Sequence, residues 1–145
     1  MEQFKFPLQK LLDIRLDKEE QSRLRLMEAQ SQKDTAETKL RDLKATYEKY
    51  NIPDKNTTTA EKKIKNTYMT TLDWGIKNAG NELVRKNAAV DNCRQDLKTR
   101  QVERKTVETV KDRRYETFIK EQERKEQIQN DEFALYSFMR KIEGR

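Results

Sequence analysis

Side chains that could carry chemistry are sparse in this sequence. Histidine is absent and Cys93 is the single cysteine. That removes the ordinary zinc ligand sets and any Ser–His or Cys–His nucleophile pair. The three glycines, Gly75, Gly80 and Gly144, are too scattered to form a P-loop, a dinucleotide-binding glycine run or a calcium loop. Carboxylates abound, but a general acid or base needs a concave site to shift its pKa. On a polar helix, carboxylates are instead solvated or paired with a base one turn away. The residue types therefore predict a chain that is not an enzyme, with no cofactor, no metal ligands and no catalytic residues.

What is left is surface chemistry, and composition sets the elements that would position it. The 145 residues suit one domain, yet 33% are hydrophobic and 40% charged. Ordinary soluble domains are about 45–50% apolar and about 25% charged. So little apolar material cannot wrap a broad core. It can feed a narrow seam between two helices, where about two positions in seven are apolar. Disorder is the competing meaning of such polarity, but two prolines and three glycines are few, which favours helix. The net charge of +6 permits an acidic partner, a nucleic acid or an anionic membrane without choosing among them. One cysteine allows no internal disulfide, nothing resembles a signal peptide, and no run of about 18 apolar residues exists to span a bilayer. The expected location is the cytoplasm.

Proline punctuates the chain twice. Pro7 suits the first turn of a helix, where its missing N–H costs nothing. Pro53 lies in a cluster of turn formers running from Asn51 through Asp54 to Thr57, and Thr58-Thr59-Ala60-Glu61 after it reads as a capping box. The expectation is a first helix over about 7–51, a turn over about 52–58 and a second helix over about 59–142. Alternating steps of four and three pick out Leu8, Leu12, Arg15, Glu19, Ser22, Leu26, Ala29, Lys33, Ala36, Leu40, Leu43, Tyr47 and Tyr50 on the first helix. On the second they run from Met69 through Leu72, Ile76, Ala79, Leu83, Lys86, Val90, Cys93 and Leu97, weaken between Arg100 and Lys125, and resume at Ile128, Glu132, Leu135, Met139 and Ile142. Both series are well above the chain's average in apolar content. A sustained repeat of this kind predicts a left-handed coiled coil.

Pro53 would break a continuous helix at about 3 kcal/mol, so the chain is expected to fold back. Reversal pairs the richest seam of the first helix, Leu40 to Tyr50, with that of the second, Leu72 to Leu83. The predicted fold is all-α: an antiparallel coiled-coil hairpin whose C-terminal helix is the longer. Exposed faces carry acid-before-base pairs at Glu37–Arg41, Glu61–Lys65, Glu82–Lys86 and Glu121–Lys125. At 1.5 Å per residue the arms span about 65 Å and about 125 Å. The excess length of the second helix, with Phe118, Ile128, Phe133, Leu135, Phe138 and Met139, is expected to lack an intramolecular partner and to bind another protein. Trp74, beside Gly75 and off the seam, suits either an exposed anchor or flank packing. The basic stretch from Lys98 to Lys125 includes Arg104, Arg113 and Arg114 and has two open readings: a solvated face, or electrostatic guidance toward an acidic partner. The last residues, 142–145, read Ile-Glu-Gly-Arg, a protease-linker sequence that could be a tag remnant or a native tail.

The opening Phe4-Lys5-Phe6-Pro7-Leu8-Gln9-Lys10-Leu11-Leu12 resembles the start of the flagellar FliJ family, which commonly begins with two aromatics flanking a polar residue and then Leu-Gln-Lys-Leu-Leu. Asp131-Glu132-Phe133-Ala134, followed by Met139-Arg140-Lys141, resembles that family's C-terminal signature. The resemblance implies a stalk of the type III export apparatus, similar to the central stalk of rotary ATPases. Its termini would enter a hexameric export ATPase that also has a regulator, and its coiled coil would contact the export gate protein FlhA and export chaperones. Such a protein sits in the cytoplasm, peripheral to the membrane through the gate. The matching gate positions are Leu40, Leu43, Tyr47 and Tyr50 with Leu72, Ile76, Ala79 and Leu83. On the ATPase side they are Phe4, Phe6, Leu8, Arg104, Arg113, Arg114, Phe133, Phe138 and Met139.

Two other classes stay in view. The stalk of virulence type III secretion is a close variant. A generic basic coiled coil, binding nucleic acid or tethering other proteins, is the more distant one. Nucleic-acid zippers carry a dense basic region with few acids, whereas here acids interleave throughout, so no nucleic acid is expected.

Overall fold

Each helix starts where its sequence supplies an end. In the computed structural model, which describes every residue except Met1, Asp54 and Arg145, α1 runs over Gln9–Tyr50 and α2 over Thr59–Glu143. Asp54 of the expected turn and Arg145 of the expected linker tail thus lie outside the described residues. Pro7 occupies the turn just before α1, where the Phe6 carbonyl accepts from Gln9 N at 3.1 Å. The capping box before α2 is closed in both directions: Glu61 N donates to Thr58 Oγ1 and Thr58 N donates to Glu61 Oε2, each at 3.3 Å. Two orphan N–H groups at the helix start are thereby satisfied.

The fold is all-α, an antiparallel coiled-coil hairpin with 42 residues in the first helix and 85 in the second. Its contacts divide into two compact units, Lys18–Gln101 with the turn, and the residues up to Asp17 with those from Val102 onward.

In the turn unit, contacts step along the two helices by equal amounts in opposite directions. Tyr50 meets Tyr68, Leu43 lies beside Gly75, Gln32 accepts from Lys86, and Ser22 donates to Asp96. Equal and opposite steps define an antiparallel pair held in one register, without slip. The buried apolar side chains are Ala36, Leu72, Ala79 and Val90, all at positions the four–three count selects. Polar members of that count are buried too: Glu19, and Ser22 at 2% exposure. Ser22 Oγ donates to Asp96 Oδ2 at 2.7 Å, and Arg23 lies 3.6 Å from the Glu19 carboxylate. The weak stretch of the repeat is therefore a packed polar seam with its groups satisfied, a pattern that specifies register at some cost in apolar burial.

The terminal unit has a small core of Phe6, Leu12 and Val107, with Phe4 and Val110 against it. Arg15 again joins the helices by a polar contact, its guanidinium donating to the Glu103 carbonyl at 2.7 Å. Lys111 donates to Gln9 Oε1 at 2.8 Å.

Three of the four expected surface ion pairs are reassigned. Lys65 donates to the Ile52 carbonyl, Lys86 to Gln32 and Lys125 to Glu2, in place of Glu61, Glu82 and Glu121. An i,i+4 pair in water is worth only about 0.2–0.5 kcal/mol, so a long lysine readily turns to an acceptor on the facing chain. Pairs that do form one turn apart include Lys77–Asp73 and Arg104–Glu108.

Candidate functional site

The first candidate surface lies in the terminal unit. Ahead of α1 the chain is not helical, yet it continues the seam along α2. The Phe4 ring packs edge-on to Tyr115 at 5.3 Å and tilted against Phe118 at 5.5 Å. The Arg114 guanidinium stands over the Phe6 ring, 6.0 Å from its centroid. Glu2 completes this strap by accepting from Gln122 at 3.1 Å and from Lys125 at 3.3 Å. The Lys125 hydrogen bond first, and Gln122 second, hold the Glu2 carboxyl below its ordinary value of 4.5. Phe118, expected to be bare, is consequently half-covered. An extended chain advances about 3.3 Å per residue against 1.5 Å for a helix, so the short strap reaches farther along α2 than the same residues would as helix.

The residues expected to meet an ATPase separate into two groups. Phe6 is buried and Phe4 half-buried, so both serve the chain's own packing. Arg104 is held by Glu108 at 2.6 Å. Leu8, Arg113, Arg114, Phe133, Phe138 and Met139 are exposed. Beyond Gln122 every described residue of α2 is exposed, and Phe133 reaches 70%. Phe133, Leu135, Tyr136, Phe138, Met139 and Ile142 are all uncovered there. At 100° per residue Leu135, Phe138, Met139 and Ile142 share one stripe about 100° wide, and Tyr136 and Phe133 widen it to about 220° of the circumference.

The second candidate surface lies near the turn. Of the positions matched to the export gate, Leu72 and Ala79 are buried in the seam. Leu40, Leu43, Tyr47, Ile76 and Leu83 are half-buried, and Tyr50 alone is exposed. Tyr50 and Tyr68 form an edge-to-face pair with centroids 5.5 Å apart. Trp74 is exposed at 68% and so is available as an anchor rather than packed on a flank. Tyr68, Ile64 and Ile52, all exposed here, were not among the expected site residues. Tyr68 falls one position before the counted seam, and its signal is the tyrosine that faces it across the predicted reversal. Glu2 was likewise missed, since only the position of the strap brings it to Lys125.

Among the described residues no group of three or more His, Cys, Asp or Glu is placed to hold a metal ion. No described helix is long and apolar enough to cross a membrane. In comparison with known families, the family model described as "Flagellar FliJ protein" aligns with residues 4–143. Comparison with curated proteins and with solved structures yields no match.

Proposed function

Because the chain belongs to the flagellar FliJ protein family, whose place is in flagellar protein export, we propose that it acts as the stalk that promotes the hexameric export ATPase. The end of α2 enters the ATPase ring, and the turn region meets the export gate protein FlhA and export chaperones. It works in the cytoplasm, drawn to the membrane through the gate. The observation that carries this reading is the broad apolar face of Phe133, Leu135, Tyr136, Phe138, Met139 and Ile142, uncovered on one helix. An apolar face that covers more than half of a helix's circumference calls for a partner that wraps it. A ring lining does so, whereas a side-on partner helix would cover the stripe of Leu135, Phe138, Met139 and Ile142 and leave Phe133 bare.

Exposed Arg113 and Arg114 suit an acidic ring lining and raise the rate of encounter. The mechanism is mechanical and allosteric. Contacts that differ between conformers of the ATPase subunits shift their populations, and binding that favours the assembled, active conformer raises turnover. The chain itself supplies no reacting group.

ATP hydrolysis by the purified export ATPase, measured with and without this chain, tests the reading. Stimulation by the native chain, abolished in Phe133→Ala with Met139→Ala while circular dichroism stays unchanged, is the expected result. Absence of stimulation at saturating, folded protein would replace the stalk with a chaperone-binding or tethering role.

A further inference from the structure

Beside the tyrosine pair that the stalk reading assigns to the gate, the turn carries two exposed isoleucines that reading does not use. Ile52 and Ile64 are among the most exposed large apolar side chains of the chain, at 64% and 71%. Ile52 shares a shallow hollow with Lys62 and Lys65, and Ile64 shares another with Lys63 and Tyr68. Lys65 is occupied, donating to the Ile52 carbonyl and so fixing that residue beside α2. Lys55, Lys62 and Lys63 are exposed and enter no ion pair among the described residues. Lys49 lies 5.6 Å from the Tyr50 ring centroid. Facing acids are few. Glu61 is committed to the cap of α2, Glu48 lies on α1, and Asp54 belongs to the turn by sequence.

We propose that this turn docks directly on an anionic phospholipid bilayer, independently of any protein gate. Ile52 and Ile64 enter the boundary between headgroups and acyl chains, and Lys55, Lys62 and Lys63 meet the lipid phosphates.

The type of cation decides between a lipid surface and an acidic protein. Between Arg41 and Arg85 every basic residue is lysine, although arginine is frequent elsewhere in the chain. Protein hot spots favour arginine, whose planar fork grips a fixed carboxylate in two-point geometry. Lysine offers a point charge on a flexible stem, which suits laterally mobile headgroups and lets the stem snorkel beside an inserted isoleucine. Clustered lysines with exposed apolar neighbours are the sequence-readable form of anionic-lipid recognition.

The test is co-flotation of the full chain with vesicles, one set an equal mixture of phosphatidylglycerol and phosphatidylcholine, the other phosphatidylcholine alone. The chain floats with the anionic vesicles only, and added salt weakens its binding. Each lysine at such a surface contributes about fivefold to partitioning, so Lys55→Gln with Lys62→Gln and Lys63→Gln lowers it about a hundredfold. Ile52→Ser with Ile64→Ser also releases the chain, whereas Arg85→Gln with Lys98→Gln leaves it bound. Because these side chains are exposed, circular dichroism of every variant matches the parent. Three results would each overturn the proposal. The chain could stay in solution with both vesicle types, pointing to an acidic protein. The isoleucine variant could bind undiminished, leaving only diffuse adsorption. The Arg85 and Lys98 variant could be released as fully as the turn variant, removing the turn as the site. No ATPase is present in the assay, so its outcome is independent of the stalk reading.

Discussion

At the scale of single residues, the contacts that matter are those made across the helix pair. Val90 is the most deeply buried side chain, at 1% exposure. Val90→Ala removes two methyl-sized groups from a tight seam and should cost about 2 kcal/mol, read as a lower urea midpoint at unchanged slope. Glu2 makes a different kind of test. Its carboxyl is held below its ordinary value by Lys125 and Gln122, so the strap favours the charged form. The contribution of that contact is present at neutral pH and above the unperturbed value. It is lost as pH falls through the lowered, folded-state value. Proton NMR shifts of the Phe4 and Tyr115 rings should therefore stay constant on acidification past 4.5 and change only at lower pH. Glu2→Gln should flatten that dependence. None of this was legible from the sequence, because Glu2 and Lys125 lie at the two ends of the chain.

The helices themselves were legible. Proline positions, the Thr58–Glu61 box and the four–three count all act within a few residues of one another, and local interactions of that kind are encoded in the segment that makes them. Thr58→Ala should cost about 1 kcal/mol by removing the side-chain acceptor for Glu61 N, measurable by thermal circular dichroism. Gly80 gives the opposite sign. A Cβ added there meets nothing within 4 Å, so Gly80→Ala should stabilise α2 by about 1 kcal/mol through lower conformational freedom of the unfolded chain. An unchanged or lower melting temperature for Gly80→Ala would mean that an unseen contact occupies that side. The surface ion pairs were misjudged at this same scale. The i,i+4 rule names a partner that is always near, but not one that wins against a carbonyl or amide on the facing chain.

For the molecule as a whole, the two candidate surfaces should be separable. Tyr50→Ala with Tyr68→Ala should weaken binding to the cytoplasmic part of the export gate and leave ATPase stimulation intact. Phe133→Ala with Met139→Ala should do the reverse. Loss of both activities in either variant would point to one shared surface. Sequence alone determined the fold class, the point of reversal, the seam and the family, because propensity and periodicity act along the chain and survive without coordinates. It also marked the apolar end of α2, since a run of large apolar residues is visible in one dimension. Tertiary structure alone decided that Phe4 covers Phe118, that Tyr68 completes a pair with Tyr50, and that most of the seam residues matched to the gate are packed inward. Those outcomes depend on the register of two helices and on an extended strap whose reach per residue exceeds that of a helix. Such distances exist only once the chain has folded back on itself.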